Sequence, residues 1–514
     1  MDTDTGNALR PLRIVRSDVN KMNFVRFPFE LTLLNNDAEA TTERIRKEIA
    51  DGSYRFSPSS IAEVPKGKGA VRPGSIITLE DQLAYNILIE EALPEIRSEI
   101  QSTQGVVDFG YELYSDDDQD YWFRQSYSCW KRWGINSIDT IADGYGFVVM
   151  TDITGCYENL DIKTLFLDLG RIGVAKPITD QLRKALKSWG QIESKGIPQG
   201  VSASHMLAKL YLSQVDIEMR DSGYKMTRYV DDIRIFCKSS NEAKLALMTL
   251  SSILRKRGLN LQSSKSKILK TVDAIREIEG QAAVIAALQD RLVDELDDII
   301  IGDDPYAARI AVNTGIPNSI QLSHIKHEFT EYYLKGSDNA FDKSLFHYLL
   351  NRLSAAGDDF AAYFCLDNLD NHPEETSFIL GYLGKVTNAD TFFDRLTSYL
   401  ASGSSVYDYQ NFLVCEWLLE QGCLDSVFID FARTIAFDHN KPAYYRALAK
   451  SILGKNGKHT DLIKIKDALP QATSSQERNA LVCSLVSLIP EVRNALLKDL
   501  EQQLQVAVSF VRQA

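Results

Sequence analysis

The sequence predicts an α+β unit built on a small antiparallel sheet, followed by an all-α array of helices. Three observations predict it. "YGFVVMTDI" (145–153) is a short apolar run of the buried-strand type that ends on an acid, and "KMTRYV" and "IRIFCK" read as two strands meeting at Asp231–Asp232. Between that strand and that hairpin, "SASHMLAKLYLSQVDIEMRDSG" (202–223) spaces its apolar residues as a helix does, with Ser202 or Ser204 as cap and Gly223 as stop. From about residue 280 onward strand signals fade and helical segments follow one another.

Those segments include "NAFDKSLFHYLLNRLSAAG", "EETSFILGYLGKV", "YDYQNFLVCEWLLEQG", "CLDSVFIDFARTIAF", "KPAYYRALAKSILGKNG" and "SQERNALVCSLVSLI". Each places apolar residues three and four apart, and Gly, Asp, Asn or Pro marks the breaks. Helix pairs recurring every 30 to 40 residues or so fit an α-solenoid of HEAT-like or armadillo type, although no strict motif repeats. The change of character lies in 270–290, so the expected domains are 1–275 and 276–514.

Composition narrows the function. The chain has 514 residues, 44% hydrophobic and 25% charged, an ordinary globular balance. A net charge of −13 argues against a protein that coats long nucleic acid by bulk electrostatics. The charge is uneven, however. Residues 251–270 carry six basic residues and no acid, 64–75 carry three and none, and 290–304 hold seven acids against one Arg. Basic patches in an acidic chain suit a small anionic ligand such as a triphosphate. The seven cysteines are scattered without a CxxC pair, which disfavours zinc and fits a reduced, cytoplasmic protein. His324 and His327 share a helix face without other ligand types around them, as on a solvated helix. No signal peptide or membrane-length apolar run is visible, so no membrane partner is expected.

The Asp pair interrupts what would otherwise be a continuous apolar strand. A turn explains it blandly, since Asp tolerates turn geometry; a divalent cation explains it chemically. If the strand ending at Asp152 packs beside the hairpin, Asp152 and Asp231 meet on one sheet. Asp232, adjacent in an extended chain, points the other way and plays a supporting part. "GIPQGVSAS" (196–204) is a Gly-flanked turn feeding a helix, which offers backbone N–H groups and the Gln199 amide to a nucleotide.

The ordered set "VPKGKGAVRPGS", "TDITGCY", "GIPQGVSAS", "RYVDDI" and "LNLQSSKSK", across residues 64–267, resembles the successive fingers and palm motifs of reverse transcriptases. The resemblance implies that Asp152 and Asp231 bind metal, with Asp232 completing a catalytic Tyr-x-Asp-Asp box, and that the cofactor is a pair of Mg²⁺ ions, which Mn²⁺ could replace. Tyr157, five residues after Asp152, matches the aromatic that collides with a ribose 2′-hydroxyl. Lys66 and Arg72 match the fingers residues that hold the incoming deoxynucleoside triphosphate. Gln199 and Gly200 resemble the pair that contacts nucleotide and template, and Lys265 the palm lysine near the leaving pyrophosphate. Two features depart from the pattern: "FGYE" (109–112) has Glu112 where a basic residue is common, and no thumb is recognisable after Lys265.

A palm and fingers followed by a long helical half resembles the bacterial abortive-infection reverse transcriptases, of the prophage-encoded antiphage type. That implies a homo-oligomer that extends DNA without a template. It also implies priming on a tyrosine of the protein, which leaves a single-stranded DNA product covalently attached. The motifs single out no priming tyrosine among the 22 present. Other readings stay open. One is a conventional RNA-templated reverse transcriptase. Another is a toxin whose "RTIAFDH" pairs Arg433 with His439 on a helix, as in HEPN-like ribonucleases. The last is an inactive scaffold, which the intact aspartate set disfavours.

Overall fold

The computed structural model describes residues 9–21, 23–26, 30–31, 34–35, 38–114, 121–124, 126–190, 192, 194–279, 317, 319–335, 341–468, 472, 477–478, 480 and 484. The acidic run 290–304 and most of "SQERNALVCSLVSLI" lie outside them. Helices α1 (Arg10–Lys21) and α2 (Ala38–Ala50) precede an antiparallel hairpin of β1 (Ser60–Lys66) and β2 (Ala70–Ile76). Its register sets Lys66 opposite Ala70 and Val64 opposite Arg72. The turn is closed by Lys68 and Gly69, both at positive φ (66° and 74°).

Helix α3 (Leu79–Ile100) starts where the Thr78 hydroxyl accepts the Asp81 N–H, 3.1 Å away, satisfying one of the free donors of its first turn. Its residues are buried on most faces, so it runs through the core. Then come α4 (Ser126–Ala142), β3 (Phe147–Asp152), the one-turn helix α5 (Cys156–Asn159), α6 (Ile162–Arg171), α7 (Lys176–Trp189) and α8 (Ser202–Asp221). The hairpin β4 (Lys225–Tyr229) and β5 (Asp232–Cys237) leads into α9 (Ser240–Lys256) and the short strand β6 (Lys267–Lys270). The four strands form one antiparallel sheet in the order β4-β5-β3-β6. Val148 and Val149 on β3 are both fully buried, as a strand covered on two faces requires.

Helix α8 forms over the predicted range, but its cap comes from elsewhere. Val201 occupies the N-cap position and offers no side-chain bond. The Asp18 carboxylate of α1 accepts both the Ser202 N–H (2.8 Å) and the Ser202 hydroxyl (2.6 Å). A carboxylate beside a helix N-terminus is favoured by the helix dipole as well as by the bonds.

Among its described residues the second half holds helices and no strand, with α10 (Ser319–Phe329), α11 (Lys343–Ala355), α12 (Ala362–Asp367), α13 (Thr376–Leu383), α14 (Phe393–Ser402), α15 (Asp408–Glu420), α16 (Ser426–Ala436), α17 (Ala443–Asn456) and α18 (His459–Ala468). Contacts run from α11 to α13 to α15 to α17 along one row and from α14 to α16 along another. This half owns a separate hydrophobic core, yet Phe24, Val25, Ala62, Val64 and Ile76 belong to that core too. One side of the β1–β2 hairpin is therefore buried against the helices. The Tyr409 hydroxyl, on α15, donates to the Phe24 carbonyl at 2.8 Å.

The Arg433–His439 pairing on one helix does not form. Helix α16 stops at Ala436, and His439 is exposed in the turn beyond it. Arg433 is engaged by both oxygens of Asp461, at 3.0 and 2.9 Å, and by Asp430.

Candidate active site

The sheet register brings the acids together. Asp152 ends β3 and Asp232 begins β5, and the two are direct cross-strand partners. Asp231 sits in the two-residue turn that joins β4 to β5. Its neighbour Val230 adopts φ 58°, a left-handed conformation costly for a β-branched residue. Residues 259–266 then run along the end of β3, where Ile153 bridges Leu261 and the Gln262 N–H donates to the Asp152 carbonyl at 2.7 Å. That path carries the Lys265 ammonium onto the Asp152 carboxylate, with which it forms an ion pair.

The electrostatics follow from this crowding. Displacement of water and the Asp152 charge push the Asp232 carboxyl up to about 6, against the pull of Lys265 and Arg234, although Asp232 itself is exposed. Burial alone would lower the Lys265 ammonium, but the Asp152 contact and the charges of Asp152, Asp232 and Asp231 outweigh it and hold it raised. The buried Cys156 thiol is pushed up by desolvation first and then by Asp231 and Asp152, so it stays protonated. Lys265 and Cys156 thus both feel the acids of the two strands.

The remaining expected residues lie on the segment after β3 and on the elements joined to it. Tyr157, on α5, is buried, and its hydroxyl meets His205 Nδ1. The "GIPQG" turn is stitched to the same segment, with Gly196 N–H on Leu160 O and Ile197 N–H on Tyr157 O, both at 2.9 Å. A Cβ at Gly196 (φ 87°) would sit 3.0 Å from the Glu158 carbonyl oxygen, so the close approach needs glycine. The Gln199 N–H donates to Ser75 Oγ at 3.0 Å, tying the turn that holds Gln199 and Gly200 to β2. Lys66 is exposed at the end of β1, Arg72 is half-buried on β2, and the Lys66 charge reaches Glu158. Glu112 is buried and paired with Arg132 of α4.

Sequence reasoning missed the network beneath the acids. Arg228 donates to both oxygens of Asp216 (2.8 and 2.9 Å), to Asp108 (3.0 Å) and to the Val230 carbonyl (3.0 Å). Lys209 pairs with Asp108 at 2.5 Å and donates to the Gly110 carbonyl at 2.9 Å. All four charged residues are buried. Two cations balance two anions, which is the condition for burying them. Burial pushes the Asp216 carboxyl up and Arg228 draws it back, while Asp108 and Asp216 hold the guanidinium raised against its own burial. The readable signal was Lys209 and Asp216, seven apart and so on one helix face, beside an Arg that directly precedes the Tyr-Val-Asp-Asp box.

Residues 64–281 match the family described as reverse transcriptase (RNA-dependent DNA polymerase). Those residues are thus similar to a reverse transcriptase domain, the kind of domain that indicates a nucleotidyltransferase. A COX1/OXI3 intron 1 protein of Saccharomyces cerevisiae is 23% identical over 186 residues, 35% of this chain and 20% of that protein. The match thus spans about a fifth of the length of that curated relative. Among solved structures, apo telomerase from Candida tropicalis aligns at 12% identity and a TM-score of 0.31, covering 90% of this chain and 74% of that one. Telomerase from Candida albicans in complex with a fragment of telomeric RNA aligns at 12% and 0.32, covering 76% and 67%. Overlaps that loose carry no weight beside the family match.

Reverse transcriptase domains generally use divalent metal ions. Among the described residues no group of three or more His, Cys, Asp and Glu stands close enough to hold one outright. The donor set nevertheless fits such an ion. Carboxylate oxygens are what hard divalent cations take, and the Asp152 carboxylate already holds the Lys265 ammonium as its cation.

Proposed function

We propose that the chain is a Mg²⁺-dependent DNA polymerase of the reverse transcriptase family, cytoplasmic and acting in antiphage defence by abortive infection. It extends DNA without a template, starting on one of its own tyrosines. The observation that carries the catalytic part is the register pairing of Asp152 with Asp232, with Asp231 in the adjoining turn and Lys265 drawn onto the Asp152 carboxylate. Nucleotidyl transfer forms a bond from a hydroxyl oxygen to the α-phosphorus, breaks the bond to pyrophosphate and releases the hydroxyl proton. Asp152 and Asp231 are the residues that would hold the metal. When bound there, the ions lower the pKa of the attacking hydroxyl and offset the charge of the leaving group. Lys66 and Arg72 bind the triphosphate, Gln199 and Gly200 line the nucleotide and Lys265 faces the pyrophosphate.

The antiphage, untemplated and oligomeric parts rest on the resemblance to abortive-infection enzymes, with the helical half from residue 276 read as a HEAT-like repeat domain. The acidic net charge supports the untemplated part, because it gives the chain little bulk attraction for a duplex. A priming hydroxyl has to be accessible. Among the described residues Tyr121, Tyr332 and Tyr363 are the exposed tyrosines.

The test is incubation of purified protein with Mg²⁺ and labelled deoxynucleotides, without primer or template, beside Asp231→Ala. Label that travels with the protein and is released by protease supports the reading, and peptide mapping then locates the tyrosine. Incorporation that waits for a primer–template leaves a conventional RNA-templated reverse transcriptase in its place, as the matched family's description would have it.

A further inference from the structure

We propose that His205 fixes the tilt of the Tyr157 ring and so sets how strictly the site rejects a ribonucleotide. The inference rests on the reading of Tyr157 as the residue beneath the sugar, and deepens it. Position 205 lies in the first turn of α8 between Ser204 and Met206, where an apolar residue would pack without cost. A buried imidazole loses its water and needs a partner in return. That partner is the Tyr157 hydroxyl at Nδ1, while His205 Nε2 has none among the described residues. The histidine therefore spends its hydrogen bonding on the tyrosine.

The geometry holds the tyrosine through the histidine, by hydrogen bond and by ring contact. The Tyr157 ring meets the imidazole edge-on, with centroids 5.4 Å apart and planes at 89°. The imidazole is itself held flat against Tyr111, at 3.9 Å and 16°, and Tyr111 leans on Phe123 at 5.4 Å. Tyr111 belongs to the "FGYE" segment, so that segment, α8 and the turn after β3 converge on one side chain. With its hydroxyl tied to a buried histidine, Tyr157 can present only its ring to a sugar. A ring locked at one end keeps its position when a 2′-hydroxyl presses on it, and a ring held by packing alone can swing aside.

The experiment uses the full-length protein under whichever condition, with or without primer–template, supports synthesis by the wild type. It reads kcat/KM for a deoxynucleotide against the matching ribonucleotide. His205→Leu is expected to lower that ratio about 3- to 10-fold, the equivalent of one hydrogen bond. His205→Asn, whose amide reaches the Nδ1 position, is expected to hold it within about twofold. Tyr157→Ala should collapse the ratio. If it does so while His205→Leu leaves the ratio unchanged, the sugar gate stands and the role of His205 falls. If Tyr157→Ala leaves the ratio unchanged, the gate reading itself fails and takes this one with it. Should His205→Leu not fold, Tyr157→Phe deletes the same bond from the other side and must lower the ratio; an unchanged ratio there overturns the proposal.

Discussion

Gly110 lies so close to Val230 that a Cβ on it would stand 2.6 Å from the Val230 nitrogen and 2.8 Å from Val230 Cγ2. The "FGYE" loop is thus the floor under the turn that carries Asp231. Val230, at positive φ, is held there by that floor and by Arg228, which donates to its carbonyl. Gly110→Ala is expected to lift the turn and misplace Asp231 and Asp232. A shift of about 1 Å can cost on the order of 100-fold in rate. Incorporation should fall by that order and the thermal midpoint should drop with it, because the clash is with backbone; retained activity would remove the loop from the positioning of the acids.

The buried quartet gives a second prediction. Arg228→Lys keeps a positive charge but cannot fork across Asp216 and also reach Asp108 and Val230. Breaking a buried pair of this kind costs about 3–5 kcal/mol, because an anion is left without its partner. Denaturant midpoints of Arg228→Lys and Lys209→Met should both show losses of that order. A loss near that of a surface ion pair, under about 1 kcal/mol, would contradict the burial of the network.

What could be read in advance was what local pattern dictates. The strand ending at Asp152, the hairpin, helix α8 and the helical second half all follow from periodicity and turn chemistry. The sequence set Asp231 against Asp152 and turned Asp232 away, whereas the register makes Asp232 the direct partner of Asp152 and leaves Asp231 in the turn, a detail that strand pairing decides and local pattern does not. What could not be read was contact between segments far apart in sequence. Asp18 caps α8 from 184 residues away, and Asp108 reaches Lys209 across 101. Ser202 and Ser204 looked like caps because the local rule knows only the residues beside the helix. Glu112 looked only like an acid in a basic residue's place because nothing in "FGYE" announces Arg132 as its partner.

The join between the two halves can be tested at Tyr409, whose hydroxyl bonds the Phe24 carbonyl across 385 residues. Gly74 on β2 makes room for the same segment, since a Cβ there would fall 2.6 Å from the Phe24 ring. Tyr409→Phe removes one buried hydrogen bond without a cavity and is expected to cost about 1 kcal/mol. Gly74→Val should do more, forcing Phe24 out of the shared core. If limited proteolysis cuts the wild type and Gly74→Val equally fast near residue 24, the hairpin is not anchored to the helices as described.

His205 also gives a pH signature that does not depend on catalysis. Burial alone lowers its pKa from 6.5 to about 3, so the folded protein holds it neutral. The ring's contacts are Tyr111 and Tyr157, neither of which brings a charge that would favour the imidazolium. Because the folded pKa lies below the unfolded one, the unfolded chain binds the proton more readily. The stability this histidine contributes is therefore complete above the unfolded pKa and is lost as pH falls from 6.5 toward 3. By about pH 5 the loss amounts to about 2 kcal/mol. In His205→Asn that titration is absent. Measured by denaturant unfolding, the stability difference between wild type and His205→Asn should shift by about 2 kcal/mol against the wild type from about pH 7.5 to about pH 5. A difference that stays constant over that range would mean His205 is charged or solvated in the folded protein, and the stacked, buried imidazole beside Tyr157 would have to be abandoned.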